Sequence, residues 1–159
     1  MRLKNMPTVV ALMLVAGFVV ALALSLNGGA ASVSAAAQNG QLHLTKECSQ
    51  YTGAPGGFCT FTSSNLAQIR VGSRVYYSQA AGTPPGLDSN VVLDDMTGLG
   101  NRAVGRCTLD FQTFLGLCTF SDGTGELAGF EARVDVDCRP SGTPCTWGGT
   151  YSFRPLPRR

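Results

Sequence analysis

Three polar side chains occupy positions that are otherwise apolar in alternating stretches, and their types could do chemistry: Lys46, Tyr77 and Asp95. A carboxyl group whose pKa is raised by burial can act as a general acid or base, and a lysine or tyrosine can orient a substrate oxygen. Asp95 and Tyr77 are therefore the candidate catalytic pair. The alternative places Lys46 and Asp95 at strand ends in water. The sequence favours this alternative, because alternation alone does not establish convergent geometry.

The six cysteines form three couples that are close in sequence, each separated by turn residues. An even number of cysteines in an exported chain is typical of a disulfide framework, although many connectivities exist in principle. The short gaps favour local pairing, in which each bridge joins the two arms of one hairpin. Zinc is the weaker alternative, because there is no Cys-x-x-Cys spacing and the chain has 1 histidine. The predicted pairs are Cys48 with Cys59, Cys107 with Cys118, and Cys138 with Cys145.

Missing motifs and the charge balance argue against several other functions. The sequence has no Gly-x-Ser-x-Gly elbow, phosphate loop or His-Glu-x-x-His motif, so conventional hydrolase, nucleotide and zinc-protease chemistry is not expected. His43 shares its parity with polar residues and has no partner for a catalytic or metal constellation. Lys+Arg number 12 against 10 Asp+Glu, and Arg2 and Lys4 belong to the N-terminal segment. Nucleic-acid binding is therefore not supported, and we expect neither a metal nor a cofactor.

The N-terminal segment is predicted to direct export. Arg2 and Lys4 precede an apolar run at residues 8–26, and residues 34–37 offer small side chains for cleavage. We expect residues 1–37 to be a signal peptide and the protein to be secreted. The alternative is a retained anchor at the outer face of the membrane, because the run is long enough to cross a bilayer. Residues 38–153 would then form one domain, with 154–159 as a flexible basic tail.

The stretches that position these side chains alternate as β-strands do. In the clearest one, Phe130, Val134 and Val136 share one face and charged residues take the other. No segment after residue 37 has the 3.6-residue apolar period of a helix. Successive hairpins favour an all-β fold, a single up-and-down antiparallel barrel of about eight strands, calycin-like and stapled by the disulfides. The predicted strands are 41–48, 58–63, 67–79 with a bend at 72–73, 89–95, 101–110, the hairpin 115–137, and 145–153.

Two stretches resemble the allene oxide cyclase and dirigent barrel group, including its exported bacterial members. Residues 94–98 leading into 104–106 are similar to its acidic pair, Thr-Gly turn and Val-Gly-Arg, and residues 123–130 to its Gly-Thr-Gly turn. The resemblance implies an eight-stranded barrel with an apolar lumen, often a homo-oligomer. Members of the group steer a reactive lipid or phenolic intermediate without a cofactor. The chain lacks the hairpin between these stretches that contributes to the group's site.

Three functions are consistent with these expectations. One is a binding module that holds a small apolar or phenolic ligand in the lumen. Another is a cofactor-free enzyme of the cyclase or dirigent type, in which Asp95 and Tyr77 act. The third is a filled barrel that works through protein contacts, since eight strands leave room for side chains alone or for one small ligand. The predicted ligand-binding residues are Trp147, Tyr151, Phe130, Phe120, Lys46 and Gln79.

Overall fold

The computed structural model describes residues 38–82, 86–139 and 144–155, which form a closed barrel of eight antiparallel strands. Each strand pairs with the next along the chain, and the last pairs with the first, so the predicted up-and-down barrel is confirmed. The predicted signal peptide lies outside the described residues. The strands are β1 (Asn39–Glu47), β2 (Phe58–Ser64), β3 (Arg74–Tyr77), β4 (Gly86–Asp94), β5 (Arg102–Asp110), β6 (Leu115–Gly123), β7 (Phe130–Asp137) and β8 (Cys145–Phe153).

All three predicted disulfides are present. Their Cα atoms are 4.3, 4.1 and 4.2 Å apart, for Cys48–Cys59, Cys107–Cys118 and Cys138–Cys145 respectively. Each bridge joins strands that are consecutive in the chain, and all three lie toward the same end of the barrel. Such a framework indicates an oxidising environment. We call this end the disulfide mouth, defined by Cys48, Cys59, Cys138 and Cys145.

Aromatic rings fill the middle of the barrel. The Trp147 ring lies 5.2 Å from that of Phe61 and 5.9 Å from that of Phe120, and Phe120 lies 6.0 Å from Phe130. These rings are buried along with the inward aliphatic residues of β1, β4 and β7. Burial of this apolar surface is the main stabilising contribution to the fold. The lumen is therefore a packed core through most of its length.

The opposite end, which we call the capped mouth, is closed by Leu66, Ile69 and Leu127 and by the buried Asp95. The prediction of a strand over 67–79 is wrong in its first half, because β3 begins only at Arg74. The preceding segment turns across the mouth instead, with a hydrogen bond from Ile69 N to Leu66 O and a positive φ of 94° at Gly72. Val71, which would share the inward face of Val75 and Tyr77 in a continuous strand, is consequently 68% exposed.

Residues 38–82, 86–139 and 144–155 contain no helix with the length and apolar character needed to cross a membrane. The start of the predicted basic tail is attached to the barrel. Arg154 forms an ion pair of 2.6 Å with Glu131, and its backbone N donates to Gly129 O.

Candidate functional site

The disulfide mouth contains an apolar pocket of about 240 Å³. Its walls come from the ends of the strands and from the two loops that follow β1 and β5. Its lining includes the cystines of two disulfides, aliphatic and aromatic side chains, and three side chains with a polar amine or hydroxyl group. The lining residues are Lys46, Cys48, Tyr51, Cys59, Tyr77, Leu87, Leu109, Phe111, Phe114, Cys138 and Cys145.

Lys46 lies on the inward face of β1 and is 3% exposed. Leu42 and Leu44 precede it on the same face, so strand alternation directs the lysine side chain into the barrel. Its Nζ lies 4.7 Å from the centre of the Trp147 ring and 5.2 Å from that of the Tyr77 ring. It also donates a hydrogen bond to the Tyr77 hydroxyl. Lys46 thus faces inward, and the favoured expectation that Lys46 and Asp95 lie in water at strand ends is wrong, because both are buried. The Lys46 amine lies beside a phenol at the pocket.

Burial lowers the pKa of Lys46 to about 7, because the low-dielectric surroundings disfavour the ammonium form. All 10 Asp and Glu residues of the chain lie in the described residues, and none forms an ion pair with this amine. Lysine is almost never fully buried unless it is paired. A substantial fraction of Lys46 is therefore a neutral amine near neutral pH.

Tyr77 is 3% exposed, and burial, followed by the proximity of Tyr51, raises the pKa of its phenol well above the ordinary value. The Tyr51 ring packs 5.0 Å from the Tyr77 ring. Burial also raises the pKa of Tyr51, and its hydroxyl oxygen is buried without a hydrogen-bond partner among the described residues. Both phenols are therefore protonated at neutral pH.

The loop 48–57 holds Tyr51 over the pocket. Hydrogen bonds join Gly56 N to Tyr77 O and Tyr77 N to Gly57 O, at 2.7 and 2.9 Å, so the loop is attached to β3. A Cβ atom at Gly57 would lie only 2.9 Å from Tyr51 Cδ2. The absence of a side chain at Gly57 therefore lets the Tyr51 ring lie close to the loop.

The β5–β6 turn supplies the opposite wall through Phe111 and Phe114. Phe114 has a φ of 57°, a left-handed conformation that is uncommon for a bulky residue. It is held there by hydrogen bonds from its N to Asp110 O and from Cys138 N to its O, at 2.8 and 2.9 Å. Backbone strain of this kind concentrates at functional sites. The strained residue here is a wall of the pocket.

Asp95 lies at the capped mouth, away from Lys46 and Tyr77. Tyr77 pairs with Val91 on β4, and Asp95 is four residues farther along, about 13 Å at the strand rise of ~3.3 Å per residue. The structure therefore does not bring the predicted catalytic pair together. Asp95 Oδ2 accepts hydrogen bonds from Asn101 Nδ2 at 2.7 Å and Arg70 Nη1 at 2.9 Å.

The condition for acid-base chemistry at Asp95, a pKa raised by burial, is not met. Burial alone would raise its pKa, but hydrogen bonds from Asn101 and Thr97 together with the Arg70 charge outweigh burial and hold it below the ordinary value. The Thr97 N and Oγ1 atoms donate to Asp95 Oδ1 at 3.0 and 2.8 Å. Asp95 is therefore an ionised group that ties together the loops of the capped mouth.

The other predicted ligand-binding residues are not among those that line the pocket, although the Trp147 ring contacts Lys46. Trp147, Phe120 and Phe130 are buried in the packed core, and Tyr151 is half-buried beside Gly40. The prediction that Gln79 faces inward is wrong, because β3 ends at Tyr77 and the Gln79 side chain is exposed. Alternation indicates a side of the sheet, but it does not indicate whether the space there is filled.

Sequence reasoning missed Tyr51, Leu87, Leu109, Phe111 and Phe114 as pocket residues. Phe111 and Phe114 lie within a turn, where two large apolar residues in four positions were the available signal. Tyr51 lies in the Gly-rich gap between Cys48 and Cys59, which was interpreted only as turn chemistry. Loop residues that cover a mouth follow no strand period, so alternation could not identify them.

Two larger grooves, of about 450 and 490 Å³, run along the outer face of β6, β7 and β8. Outward residues such as Thr119, Arg133 and Asp135 line them, and they are open to solvent. Neither groove includes a buried ionisable side chain among its lining residues. The apolar pocket at the disulfide mouth is therefore a better candidate site than either groove.

Neither a metal site nor similarity to a known protein identifies a ligand for the pocket. Within the part of the chain that the structure describes, no three His, Cys, Asp or Glu side chains come together as a metal site. Comparison of the chain with protein-family models, curated proteins and solved structures finds no match. The chemistry of the pocket is accordingly inferred from its own residues.

Proposed function

We propose that this protein is an exported, disulfide-stabilised β-barrel that binds a small apolar or aromatic ligand at its disulfide mouth. The observation that carries the proposal is the apolar pocket of about 240 Å³ with two convergent polar groups, Lys46 and Tyr77. Apolar walls with a few placed polar groups are typical of small-molecule sites. Three disulfides and the leader-like residues 1–37 support the export part of the proposal.

The energetics of Lys46 favour a binding role over a merely packed mouth. Burying an amine without a carboxylate partner costs free energy, and a methionine would fill the same volume without that cost. The Tyr51 hydroxyl is likewise buried without a partner among the described residues, although buried polar groups are usually hydrogen-bonded. A ligand oxygen at this position would accept from the amine or the hydroxyl.

Pocket filling tests the proposal. Leu109→Trp places an indole ring in the pocket, whereas Val104→Trp places the same ring on the outer face of the same strand, where Val104 is 47% exposed. We expect benzyl alcohol to bind the wild type and Val104→Trp equally and Leu109→Trp much more weakly, measured by ligand-observed NMR. Equal binding by both variants, or no binding by the wild type, would contradict a ligand site here.

A protein-contact function is the second candidate, and the filled lumen favours it. A row of apolar residues crosses the outer face in register, with Phe58 paired to Tyr76, Tyr76 to Val92 and Val92 to Val104. Apolar surface of this kind is common at protein interfaces. Val92→Glu with Val104→Glu should abolish such contacts, measured as loss of self-association by sedimentation velocity. A wild type that sediments as a monomer would count against association between copies.

A cyclase or dirigent type of enzyme remains the third hypothesis and has less support. Its two candidate residues, Asp95 and Tyr77, lie toward opposite ends of the barrel. Any catalysis at the disulfide mouth would depend on Lys46 and Tyr77 instead.

A further inference from the structure

We propose that Lys46 is a carbonyl-reactive amine, and that the pocket holds a small apolar aldehyde as an imine on Lys46 Nζ. The inference rests on the proposed function, because it names the ligand class of the same pocket. It follows from the buried position of the Lys46 amine at the pocket, from the apolar groups around it, and from the absence of an ion pair with any acidic residue.

Lys46 is the only lysine beyond residue 37, the other being Lys4. Its side chain is buried at the pocket, with aromatic rings and disulfide sulfur around it. Because none of the acidic residues forms an ion pair with it, no counter-charge stabilises the ammonium form. Desolvation in an apolar pocket is one of the ways in which proteins make a lysine nucleophilic toward carbonyl compounds.

The neighbouring phenol supplies the proton that imine formation requires. The amine nitrogen adds to the aldehyde carbon and yields a neutral carbinolamine after one proton moves from nitrogen to oxygen. Tyr77 then donates its hydroxyl proton to the carbinolamine hydroxyl, the C–O bond breaks, and water leaves. The iminium N–H returns a proton to the Tyr77 oxygen, so the products are the neutral imine, one water and the original phenol. No oxidant or reductant takes part.

The pocket walls favour an aldehyde with a small apolar body. Leu87, Leu109 and Phe111 offer surface for an alkyl or phenyl group. An apolar site that excludes water favours dehydration of the carbinolamine, because water is a product. All six cysteines are in disulfides, so no thiol competes for the aldehyde.

Reductive trapping tests the inference directly. The full-length, oxidised chain is incubated with benzaldehyde and cyanoborohydride, and intact mass and peptide mapping then locate any added benzyl group. We expect one benzyl group on Lys46, formed faster than any on Lys4 or the terminal amine. Benzyl alcohol, which has a similar body and no carbonyl, should slow the trapping by competition.

Two pairs of variants separate chemistry from folding. Lys46→Arg retains a cation and Lys46→Met retains the volume, and neither should be trapped at residue 46. Tyr77→Phe should slow trapping by about a hundredfold, the scale of general acid catalysis. Tyr76→Phe, on the outward face of the same strand, should leave the rate unchanged. The trapping rates are compared at saturating benzaldehyde. A variant that only binds benzaldehyde more weakly then does not show the slower rate expected from loss of the proton donor.

The outcomes distinguish this inference from the proposed function. Benzaldehyde that binds and is displaced by benzyl alcohol, but leaves Lys46 unmodified, overturns the inference while the binding function stands. Failure of both compounds to bind overturns both. Modification confined to Lys4 and the terminal amine overturns the inference, as does equal trapping of Tyr77→Phe and the wild type.

Discussion

Asp95 illustrates how a buried carboxylate can serve structure alone. Its two oxygens accept from Thr97, Asn101 and Arg70, which belong to segments on either side of the capped mouth. Arg70 extends the network to Glu126, 3.1 Å away, and the Asn101 side-chain oxygen accepts from Glu126 N. The carboxylate is thus the centre of a polar network that fastens three loops over the barrel end.

Replacing Asp95 by Asn should lower the free energy of unfolding. The amide removes the charge and points an NH2 group toward donors that it cannot satisfy, so we expect a loss of about 2–3 kcal/mol by urea denaturation. Because the pKa of Asp95 is held low, its contribution is present above about pH 4 and is lost as pH falls further. The difference between variant and wild type should therefore shrink in acid.

Asp88→Asn is the matched control for Asp95→Asn. Asp88 pairs with Arg106 on the surface, where both side chains are more than half exposed, and solvent screens such a pair. Its removal should leave stability nearly unchanged. Asp95→Asn should also leave benzaldehyde binding intact, and loss of binding in a folded Asp95→Asn protein would show that the capped mouth belongs to the site.

Alternation assigned Lys46, Tyr77 and Asp95 to the inward face, and all three are buried, although the favoured expectation left Lys46 and Asp95 in water at strand ends. Alternation specifies the side of a sheet, which is why these three were found. The height of each residue along the barrel depends on register and on where each strand starts. The late start of β3 at Arg74 could not be derived from period two. The placement of Asp95 and Tyr77 toward opposite ends follows from the antiparallel order of β3 and β4, not from alternation.

The loop 48–57 shows how one connection can convert a strand end into a pocket. It leaves β1 after Glu47, returns to β2 at Phe58, and is closed at its base by the Cys48–Cys59 disulfide. Closing such a short loop stabilises the fold by about 2–3 kcal/mol, since it restricts the unfolded chain. The same closure keeps Tyr51 against Tyr77.

Gly57→Ala should displace Tyr51 and weaken ligand binding. The added Cβ would lie 2.9 Å from Tyr51 Cδ2 and 3.2 Å from Ala54 O, so the ring must move away from the loop. We expect lower affinity for benzyl alcohol and a loss of about 1 kcal/mol in stability. Gly148→Ala is the control, because its Cβ would meet nothing closer than His43 Nδ1 at 3.9 Å. Unchanged affinity in Gly57→Ala would mean that Tyr51 is not a wall of the site.

Hairpin order and disulfide pairing could be predicted from the sequence because each is a local property. Barrel closure is not local, since it pairs β1 with β8, and it was predicted from the number and order of the strands. Cys107 and Cys118 face each other across β5 and β6 as their spacing indicated. The pocket is different, because its lining comes from seven of the eight strands or the loops that follow them, and these meet only after closure. The aromatic residues that were predicted to line a ligand site instead pack against one another in the core around Trp147.

The barrel as a whole has one mouth fastened by the Asp95 network and another fastened by disulfides. Because aromatic rings fill the core, the disulfide mouth is the part of the barrel that can accommodate an unpaired amine beside a pocket. The disulfides constrain this end without adding polar groups, so the surroundings of Lys46 stay apolar. The free energy of unfolding should therefore depend on the protonation of this one buried amine.

Lys46→Met should remove a pH dependence of stability. The folded pKa of about 7 is below the unfolded value of 10.5, so above pH 7 the unfolded chain binds more protons. Wild-type stability should accordingly rise with pH from about 7 upward, by at most about 1.4 kcal/mol per unit. The titratable groups that line the pocket with the amine are the phenols Tyr77 and Tyr51, both protonated in this range.

Urea unfolding of the oxidised chain between about pH 6 and about pH 8.5 measures this slope. Lys46→Met should be more stable than the wild type at the lower end, because it buries no charge, and the gap should narrow as pH rises. His43→Asn, at an exposed position on the outward face of the same strand, serves as the control for substitution in β1. Equal slopes in Lys46→Met and the wild type would mean that the Lys46 amine is charged in the folded barrel throughout this range.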